Sequence, residues 1–205
     1  MCRGKLLVIS GPSGAGKGTV CKRLLEDLDN LRFSVSMTTR SPRKGEVEGK
    51  NYYFVSREEF EKGIKSDSFL EYARVFDNYY GTPKEMVMEA LNDGIDVVLE
   101  IDTQGALQVK ERFEEAILIF ILPPSMKELR NRIVNRATED EDKIAKRLGE
   151  AIGEIRSSTE YDYIVLNDDL EIALNHVKAI ITAEHLKLTD DKAIEKIIKN
   201  FEEEI

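Results

Sequence analysis

A glycine-rich segment at residues 11–19 constrains the fold of this chain more than any other feature. It follows the apolar run Leu6 to Ser10 and precedes apolar residues at helical spacing. A strand, a glycine-rich turn and a helix in this order match a P-loop, in which backbone N–H groups and the positive end of the helix surround a phosphate. The segment therefore predicts a binding site for a nucleoside triphosphate. The residues that we expect to contact it are Gly11, Ser13, Gly14, Ala15, Gly16, Lys17, Gly18 and Thr19.

Lys17 is the residue of this segment that would reach the β- and γ-phosphates. It is followed by Gly18, whereas a P-loop usually has Ser or Thr there to offer a hydroxyl to Mg²⁺. We therefore expect magnesium, as the cofactor, to depend on water, phosphate oxygens and carboxylates. Glu100 and Asp102, at the end of a strand-like run, are candidates to hold the waters of this ion. The alternative is a glycine-rich turn without a ligand, which the lysine and the flanking strand and helix disfavour.

Short apolar runs alternate with longer amphipathic segments along the chain. This alternation predicts an α/β fold with a parallel sheet flanked by helices, as in P-loop NTPases. The sequence contains no internal repeat and no linker rich in Pro or Ser, so we expect one core with insertions. The four strand candidates are Leu6 to Ser10, Val97 to Ile101, Ile117 to Leu122 and Tyr163 to Leu166.

Three helix starts carry a capping box, in which Ser or Thr is followed three residues later by Glu. The pairs are Ser56 with Glu59, Thr82 with Glu85, and Ser125 with Glu128. Pro83 would occupy the first position of the second helix. Near the end of the chain, apolar residues from Ile194 to Ile205 recur at helical spacing, which predicts a terminal helix that packs its apolar stripe.

Charge and composition limit the partners. The 205 residues include 30 Lys and Arg and 39 Asp and Glu, which gives a formal net charge of -9. This charge argues against non-specific binding to nucleic acid or to an anionic membrane. The apolar runs are far shorter than the ~20 residues that cross a bilayer. The first residues lack a secretory signal, and Cys2 and Cys21 have no metal-ligand spacing, so we expect a protein of the reducing cytoplasm.

A second segment, residues 34–54, concentrates arginines, hydroxyls and tyrosines in an otherwise acidic chain. Arg40 and Arg43 can donate paired hydrogen bonds to phosphate oxygens, and a tyrosine hydroxyl can donate another. The segment therefore indicates a site for a small phosphorylated molecule. The alternative is a solvated basic hairpin, which charge counting alone would favour.

Together with four further motifs, this segment resembles the guanylate kinase family from about Lys5 to about Leu186. The motifs are Glu71, Asn78-Tyr79-Tyr80-Gly81-Thr82, Glu100-Ile101-Asp102 and Asn167-Asp168-Asp169. The combination is specific, because several separated motifs occur in the order of the family. The resemblance implies a core at 1–34, 84–131 and 149–188, a GMP-binding insertion at 35–83, a lid at 132–148 and a C-terminal helical extension at 189–205.

The resemblance also implies which residues bind GMP. Its phosphate would contact Arg40, Arg43, Tyr52 and Tyr80, and its base would contact Ser36, Glu71 and Thr82. Guanine carries a ring N–H beside an amino group, and a carboxylate can accept from both, whereas adenine lacks this pair of donors. Asp102 could bind the guanine amino group rather than the waters of magnesium. Thr82 could also serve only as a helix cap.

The implied reaction is the phosphorylation of GMP, and of dGMP, by ATP. The acceptor oxygen is already anionic, so we expect positioning and charge neutralisation rather than a strong general base. The implied catalytic cations are Lys17, Arg40, Arg136 and Arg147. The resemblance also places Arg132 in the lid, and the three lid arginines could instead belong to a charged helical face. Asn167 would contact adenine, or would simply end a strand.

Two other functions are compatible with this fold. A non-enzymatic module related to guanylate kinases would keep the fold without the catalysis, and another nucleoside monophosphate kinase would act on a different acceptor. The Gly16-Lys17 pair and the arginines argue against the first. The expected partners are ATP and GMP, without nucleic acid or membrane, in a monomer or a homo-oligomer. His176 and His185 have no evident convergent partners, so we expect surface or satisfied core positions for them. We expect packing rather than ligand binding at Tyr53, Phe54, Tyr72 and Phe76.

Overall fold

The computed structural model describes residues 3–136, 141–187 and 198–203. In chain order its elements are β1 (Leu6–Ser10), α1 (Lys17–Asp27), β2 (Leu31–Phe33), β3 (Met37–Thr38), β4 (Tyr53–Phe54), α2 (Arg57–Lys65), β5 (Phe69–Val75), β6 (Asn78–Pro83), α3 (Lys84–Asn92), β7 (Asp96–Glu100), α4 (Thr103–Arg112), β8 (Ile117–Leu122), α5 (Met126–Arg136), α6 (Glu141–Arg156), a 3₁₀ turn (Ser157–Glu160), β9 (Tyr163–Leu166) and α7 (Leu170–Leu186). Residues 198–203 are also helical. In the described ranges as a whole, no helix is long and apolar enough to cross a membrane.

A parallel sheet with the strand order β2-β7-β1-β8-β9 forms the core of the described chain. All residues of β1 are buried, as is typical of a central parallel strand with helices on both faces. The predicted α/β fold with a parallel sheet is therefore confirmed. β1, β8 and β9 have the predicted bounds, whereas the strand predicted at Val97 to Ile101 begins at Asp96 and ends at Glu100, because Asp96 takes part in the pairing with β2.

Helices cover both faces of this sheet. Leu7 and Ile9 of β1 contribute to one apolar cluster, which includes buried residues of α1 and α7. Leu6 and Val8 contribute to the opposite cluster, with buried residues of α3 and α4. This alternation follows from the period of two in a strand. The segment that leaves the carboxyl end of β1 is therefore anchored in the centre of the core.

A second sheet, with the strand order β4-β3-β6-β5, lies between β2 and α3 in the sequence. Phe60 of α2 packs on this sheet. The centre of its ring lies 4.3 Å from that of Phe69 and 5.2 Å from that of Tyr79, and both pairs of rings are stacked. The strands of this sheet fall inside the predicted insertion at 35–83. In the turn between β5 and β6, Phe76 has a φ of 53° and is 92% exposed, so the expectation that it packs is wrong.

Two of the three predicted capping boxes are confirmed. The hydroxyls of Ser56 and Ser125 each accept from the backbone N–H three residues later, at 3.1 Å. The cap predicted at Thr82 is wrong, because β6 continues through Pro83 and the start of α3 has no side-chain cap. Pro83 therefore stands just before the helix rather than at its first position. The Thr82 hydroxyl donates to Glu71 on the neighbouring strand instead.

His185 of α7 lies at the surface, as predicted, and its Nε2 is 2.8 Å from the carboxylate of Asp96 in β7, a partner that the sequence did not indicate. The expectation for the terminal helix is wrong. In the terminal helical segment, Ile198 is 49% exposed and Phe201 is 63% exposed, so these side chains do not pack as predicted. The other residues of that apolar stripe lie outside the described ranges.

Candidate functional site

The phosphate loop, residues 11–19, connects β1 to α1 in a conformation that glycine adopts most readily. Gly11, Gly14 and Gly16 have φ values of 139°, 92° and 99°. Gly16 is also the N-cap of α1, and no side chain caps this end of the helix. The first N–H groups of α1 and the positive end of its dipole therefore face the loop, which is the arrangement that binds an anion.

Lys17, the first residue of α1, turns its ammonium group back over the loop. Its Nζ donates to the carbonyl oxygens of Gly11 at 2.6 Å and Pro12 at 3.2 Å. Burial lowers the pKa of Lys17, and the carboxylates of Glu100 and Glu154 oppose that shift. The ammonium group is thus held over the loop by the carbonyl oxygens of Gly11 and Pro12.

Asn167, which follows β9, supports the phosphate loop. It is buried, and its Nδ2 donates to the carbonyl of Ala15 at 2.7 Å. Arg132 of α5 in turn donates from Nη2 to the Asn167 carbonyl at 3.1 Å. A Cβ on Gly16 would lie 2.3 Å from the Asn167 Nδ2, so glycine is needed there for two reasons. The carboxamide therefore holds the loop, and the adenine contact of Asn167 stays a prediction.

A cavity of about 370 Å³ opens beside the phosphate loop. Its volume lies in the range of small-molecule sites, and it adjoins the start of α1, where the rest of a bound triphosphate would extend. A larger cavity of about 670 Å³, between α2 and the start of α3, is lined by none of the predicted site residues. The residues that line the smaller cavity are Gly14, Gly16, Thr19, Arg132, Asn167, Asp168 and Leu170.

Glu100 and Asp102 lie at the carboxyl end of β7, beside the phosphate loop. A Cβ on Gly18 would be 3.3 Å from both Glu100 carboxylate oxygens, so glycine at this position leaves room for the carboxylate at the start of α1. Asp102 caps α4, since its Oδ1 accepts from the Gly105 N–H at 2.8 Å. Within the described part of the chain, no group of three or more His, Cys, Asp or Glu residues could hold a metal ion.

In the insertion, Glu71 of β5 and Thr82 of β6 form a buried pair. Thr82 Oγ1 donates to Glu71 Oε1 at 2.6 Å, and Glu71 is only 6% exposed. Burial raises the pKa of Glu71, the Thr82 hydroxyl partly offsets this, and the nearby Asp102 carboxylate raises the pKa further. The pair therefore places a buried carboxylate acceptor inside the insertion.

The start of α4 brings Glu71 and Asp102 close to one another. A Cβ on Gly105 would lie 3.3 Å from Glu71 Oε2 and 3.4 Å from Asp102 Oδ1. Ser36, which precedes β3, is half-buried, and its backbone carbonyl pairs with β4. The structure thus places Glu71, the carboxylate predicted to bind the base, close to Asp102, the carboxylate predicted just after β7.

Arg40, Tyr52 and Tyr80 form a second cluster in the insertion. The guanidinium carbon of Arg40 is 5.4 Å from the centre of the Tyr52 ring, and the two tyrosine rings are 6.0 Å apart. Arg40 also makes two hydrogen bonds to the Glu46 carboxylate, at 3.0 and 2.9 Å, and Glu46 accepts from the Arg43 N–H at 2.7 Å. This pairing raises the pKa of Arg40 and lowers that of Glu46. Sequence reasoning did not single out Glu46.

Helices α5 and α6 carry the arginines predicted for the lid. Arg147 of α6 reaches the phosphate loop, where its Nη2 donates to Ser13 Oγ at 2.7 Å. The side chain of Arg136 and residues 137–140 lie outside the described residues, so the role of Arg136 stays a prediction. The two helices pack through a small apolar cluster of Leu129, Ile133, Ile144 and Ala151.

Glu154 is a site residue that sequence reasoning missed. It lies on α6 and is half-buried. Burial raises the pKa of Glu154, Lys17 lowers it, and Ser13 contributes a smaller lowering. The available signal was its spacing: Arg147, Ala151 and Glu154 are separated by four and three residues, which places them on one helix face.

Comparisons with known proteins show which sequences and structures this chain resembles. The family model described as guanylate kinase matches residues 3–184. A guanylate kinase of Caldanaerobacter subterraneus subsp. tengcongensis is 57% identical over 190 residues, which cover 93% of this chain and 92% of that protein. One of Clostridioides difficile is 52% identical over 203 residues, covering 99% and 98%. The crystal structure of guanylate kinase from Anaplasma phagocytophilum is similar with a TM-score of 0.71 and 40% identity, covering 91% of this chain and 89% of that one.

Proposed function

The chain belongs to the guanylate kinase family, and on that premise we propose how its phosphate loop and its insertion serve the reaction. The enzyme transfers a phosphoryl group from ATP to GMP, which yields ADP and GDP. The phosphate loop takes the donor, and the insertion takes the acceptor. The observation that carries this division is the buried pair of Glu71 and Thr82, because a buried carboxylate beside a hydroxyl suits guanine.

On the donor side, the N–H groups of the phosphate loop bind the β- and γ-phosphates of ATP. Lys17 exchanges its carbonyl partners for phosphate oxygens, and Asn167 keeps the loop in place through its hydrogen bond to the Ala15 carbonyl. The donor contacts are made by Gly11, Ser13, Gly14, Ala15, Gly16, Lys17, Gly18 and Thr19, with Asn167 beside adenine.

Glu100 and Asp102 are the residues that fit Mg²⁺, held through water. A hard cation takes oxygen ligands, and magnesium commonly binds one or two carboxylates while keeping several waters. The space beside Gly18 admits the Glu100 carboxylate where another P-loop would place a hydroxyl. When bound, Mg²⁺ neutralises charge on the phosphates of ATP.

On the acceptor side, Glu71 accepts from the ring N–H and the amino group of guanine. The single hydroxyl proton of Thr82 already goes to Glu71, so Thr82 is left as an acceptor for the guanine amino group, and Ser36 supplies the donor for the guanine carbonyl. Asp102 assists at the amino group. A nucleoside monophosphate whose base lacks these donors leaves the buried Glu71 carboxylate unpaired. This difference can discriminate between acceptor nucleotides by ~10⁴-fold.

The phosphate of GMP binds at Arg40, Arg43, Tyr52 and Tyr80. The Glu46 carboxylate accepts from Nη1 and Nη2 of Arg40, and the phosphate dianion competes for these donors. None of these contacts involves the ribose, so dGMP is also an acceptor. The net charge of -9 argues against a nucleic-acid partner, and we place the enzyme in the cytoplasm with its small-molecule substrates.

The transfer needs no general base, because the attacking phosphate oxygen of GMP is already anionic. The protein has to align this oxygen with the γ-phosphorus and the leaving oxygen, and to offset the repulsion between two anions. At ~4 Å and an effective dielectric of ~20, one pair of unit charges contributes about 4 kcal/mol. The cations that supply this compensation are Lys17, Arg40, Arg136 and Arg147.

An acceptor panel tests the proposal. Release of ADP is followed with ATP and Mg²⁺ at saturation and with GMP, dGMP, AMP, CMP or UMP as acceptor. We expect turnover with GMP and dGMP alone. Equal turnover with AMP would overturn the role of Glu71, whereas no turnover with any acceptor, together with GMP binding in calorimetry, would favour the non-enzymatic interaction module.

A further inference from the structure

Helix α4 packs one side on the central sheet and an adjacent side on β5. Ala106 and Val109 are buried in the apolar cluster that covers one face of β1. Gly105, Gln108 and Arg112 follow one another at spacings of three and four residues, which places them together on one side of the helix. Each of these three residues lies against β5. The helix therefore connects the core to the strand that carries the base-binding carboxylate.

The pairing of β5 with β6 is irregular just before Glu71. Phe69 lies opposite Pro83. Glu71, two residues later, lies opposite Thr82, so Leu70 is an extra residue on β5. A bulge of this kind changes the direction of nearby side chains, and bulges are frequent beside active sites. Leu70 itself is fully buried in the apolar cluster that includes α4. The direction of the Glu71 side chain therefore depends on how this bulge is held.

Two side chains of α4 bind the backbone of β5 on either side of the bulge. Arg112 Nη1 donates to the Phe69 carbonyl at 2.7 Å, and Gln108 Oε1 accepts from the Tyr72 N–H at 3.3 Å. The guanidinium carbon of Arg112 also lies 5.5 Å from the centre of the Tyr72 ring. Backbone groups of a strand point to its two edges, and among the described strands β5 has a neighbour, β6, on one edge alone. The side chains of α4 therefore supply partners at the other edge.

Glu71 lies between these two anchored positions. A Cβ on Gly105 would be 3.3 Å from Glu71 Oε2, so the carboxylate passes close to the backbone of α4. Its other oxygen, Oε1, accepts from the Thr82 hydroxyl at 2.6 Å. The carboxylate is thus confined between α4 and β6. It recognises two adjacent donors of a base only if its oxygens are aimed correctly, since hydrogen bonds weaken steeply as their angle departs from linearity.

We propose that Gln108 and Arg112 are positioning residues for acceptor specificity: by holding β5 on both sides of its bulge, they aim the Glu71 carboxylate at the ring N–H and the amino group of guanine. The inference rests on the proposed function, since it assumes that Glu71 binds the base. Both residues act through Glu71 rather than by contact with the nucleotide. Loss of either hydrogen bond weakens the base contacts more than the phosphate contacts, because Arg40 and Tyr52 lie on other segments.

The test compares GMP with inosine monophosphate (IMP), whose base has the ring N–H of guanine but lacks its amino group. The ratio of their dissociation constants, measured by calorimetry, reports how well Glu71 meets that group. Arg112→Met removes the bond to the Phe69 carbonyl. Lys110→Met is the matched control, because Lys110 of the same helix donates at 2.7 Å to the carbonyl of Ala116, just before β8. We expect the preference for GMP over IMP to fall about tenfold in Arg112→Met and to stay within about twofold in Lys110→Met.

Coupling to Glu71 gives a second readout that a merely structural role would not move. In the wild-type background, Glu71→Gln should weaken GMP binding by ~10²-fold. In the Arg112→Met background part of this loss has already occurred, so the same step should cost only about tenfold, and the affinity for ATP should stay within about twofold. Additive losses would overturn the proposal, and so would equal losses of affinity for GMP and IMP.

If Arg112→Met does not fold, Gln108→Met replaces it. Methionine keeps the length of the glutamine side chain and removes the acceptor for the Tyr72 N–H. We expect the preference for GMP over IMP to fall about threefold in this variant, and an unchanged preference overturns the proposal. The outcome is separate from that of the proposed function. Turnover of GMP by the wild-type enzyme tests the function, whereas the nucleotide preference of the α4 variants tests the inference.

Discussion

Replacing Gly16 with alanine tests how the end of β9 shapes the phosphate loop. The structure gives two separate reasons why a side chain is unfavourable here. The φ of Gly16 is 99°, in the left-handed region, and an added Cβ would lie 2.3 Å from the Asn167 Nδ2. The carboxamide would have to move, and its hydrogen bond to the Ala15 carbonyl at 2.7 Å would be lost.

The size of the effect follows from these two terms. The left-handed conformation costs an L-residue about 1–2 kcal/mol. Loss of the buried hydrogen bond of Asn167 adds about 1–3 kcal/mol, because the Ala15 carbonyl is left without its partner. We therefore expect Gly16→Ala to lower the free energy of unfolding by about 3 kcal/mol. Asn167→Ala alone is expected to lower it by about 2 kcal/mol.

A double-mutant cycle measures how much of the loss in unfolding free energy the two single variants share. Urea unfolding by linear extrapolation gives the free energies of the wild type, the two single variants and the double variant. In the double variant the carboxamide is absent, so only the backbone term of Gly16 is added. We expect a combined loss of about 3–4 kcal/mol rather than 5, and a similar shortfall in the loss of ATP affinity by calorimetry.

Gly149→Ala is the matched control. Gly149 lies in α6, and a Cβ there would meet nothing within 4 Å. Alanine at this position should stabilise the enzyme by up to about 1 kcal/mol through helix propensity, and it should leave ATP binding unchanged. If the effects of Gly16→Ala and Asn167→Ala add within about 0.5 kcal/mol, the contact between the two residues does not hold the loop and our reasoning fails.

Glu71→Gln should weaken GMP binding by ~10²-fold with little effect on ATP, because one guanine donor then faces an amide donor; equal losses for both nucleotides would contradict this assignment. The same variant should unfold at higher urea than the wild type at pH 7, since burial raises the pKa of Glu71 and the folded protein therefore disfavours its ionised form. That difference should vanish as the pH falls below about 4, where the unfolded carboxyl is also protonated, and GMP affinity of the wild type should fall as Glu71 becomes protonated. Lys17→Met should lower kcat at least ~10²-fold while circular dichroism shows a folded protein; near-normal turnover would remove Lys17 from the mechanism. His185→Ala should lower the free energy of unfolding by about 1–2 kcal/mol without changing kcat, because buried Asp96 loses a partner, whereas a change at the exposed His176 should be neutral.

The central strands could be predicted because their environment leaves a simple pattern. β1 and β8 are buried on both faces, so they are continuous apolar runs with clear ends. The strands of the insertion leave no such pattern: β3 and β4 have two residues each, and β5 passes from buried to exposed along its length. Their pairing depends on contacts between distant segments, which local periodicity does not encode.

Thr82 shows how a local pattern can indicate the wrong partner. Thr82-Pro83-Lys84-Glu85 has the letters of a capping box, but its hydroxyl bonds to Glu71, 11 residues earlier in the sequence. The competing acceptor becomes visible only when β5 pairs with β6. A buried carboxylate without a hydrogen-bond donor costs more free energy than a helix start without a side-chain cap, so the tertiary contact prevails.

The residues of the site divide in the same way. The phosphate loop was predictable because its residues are contiguous and its chemistry depends on the backbone. Glu46 and Glu154 were not predictable, because the cation near each of them comes from another position in the chain. Glu46 is hydrogen-bonded to Arg40, and the pKa of Glu154 is lowered by Lys17. Acidic residues are frequent in this chain, and only packing distinguishes these two from the solvated majority.

The bond between Asn167 and Ala15 also bears on how the enzyme matures during synthesis. These residues are separated by 152 positions, about 8–30 s of translation at typical bacterial rates. A nascent chain thus carries the complete glycine-rich sequence long before the carboxamide that braces it has been made. The loop therefore receives this brace only after the last strand of the sheet has been synthesised.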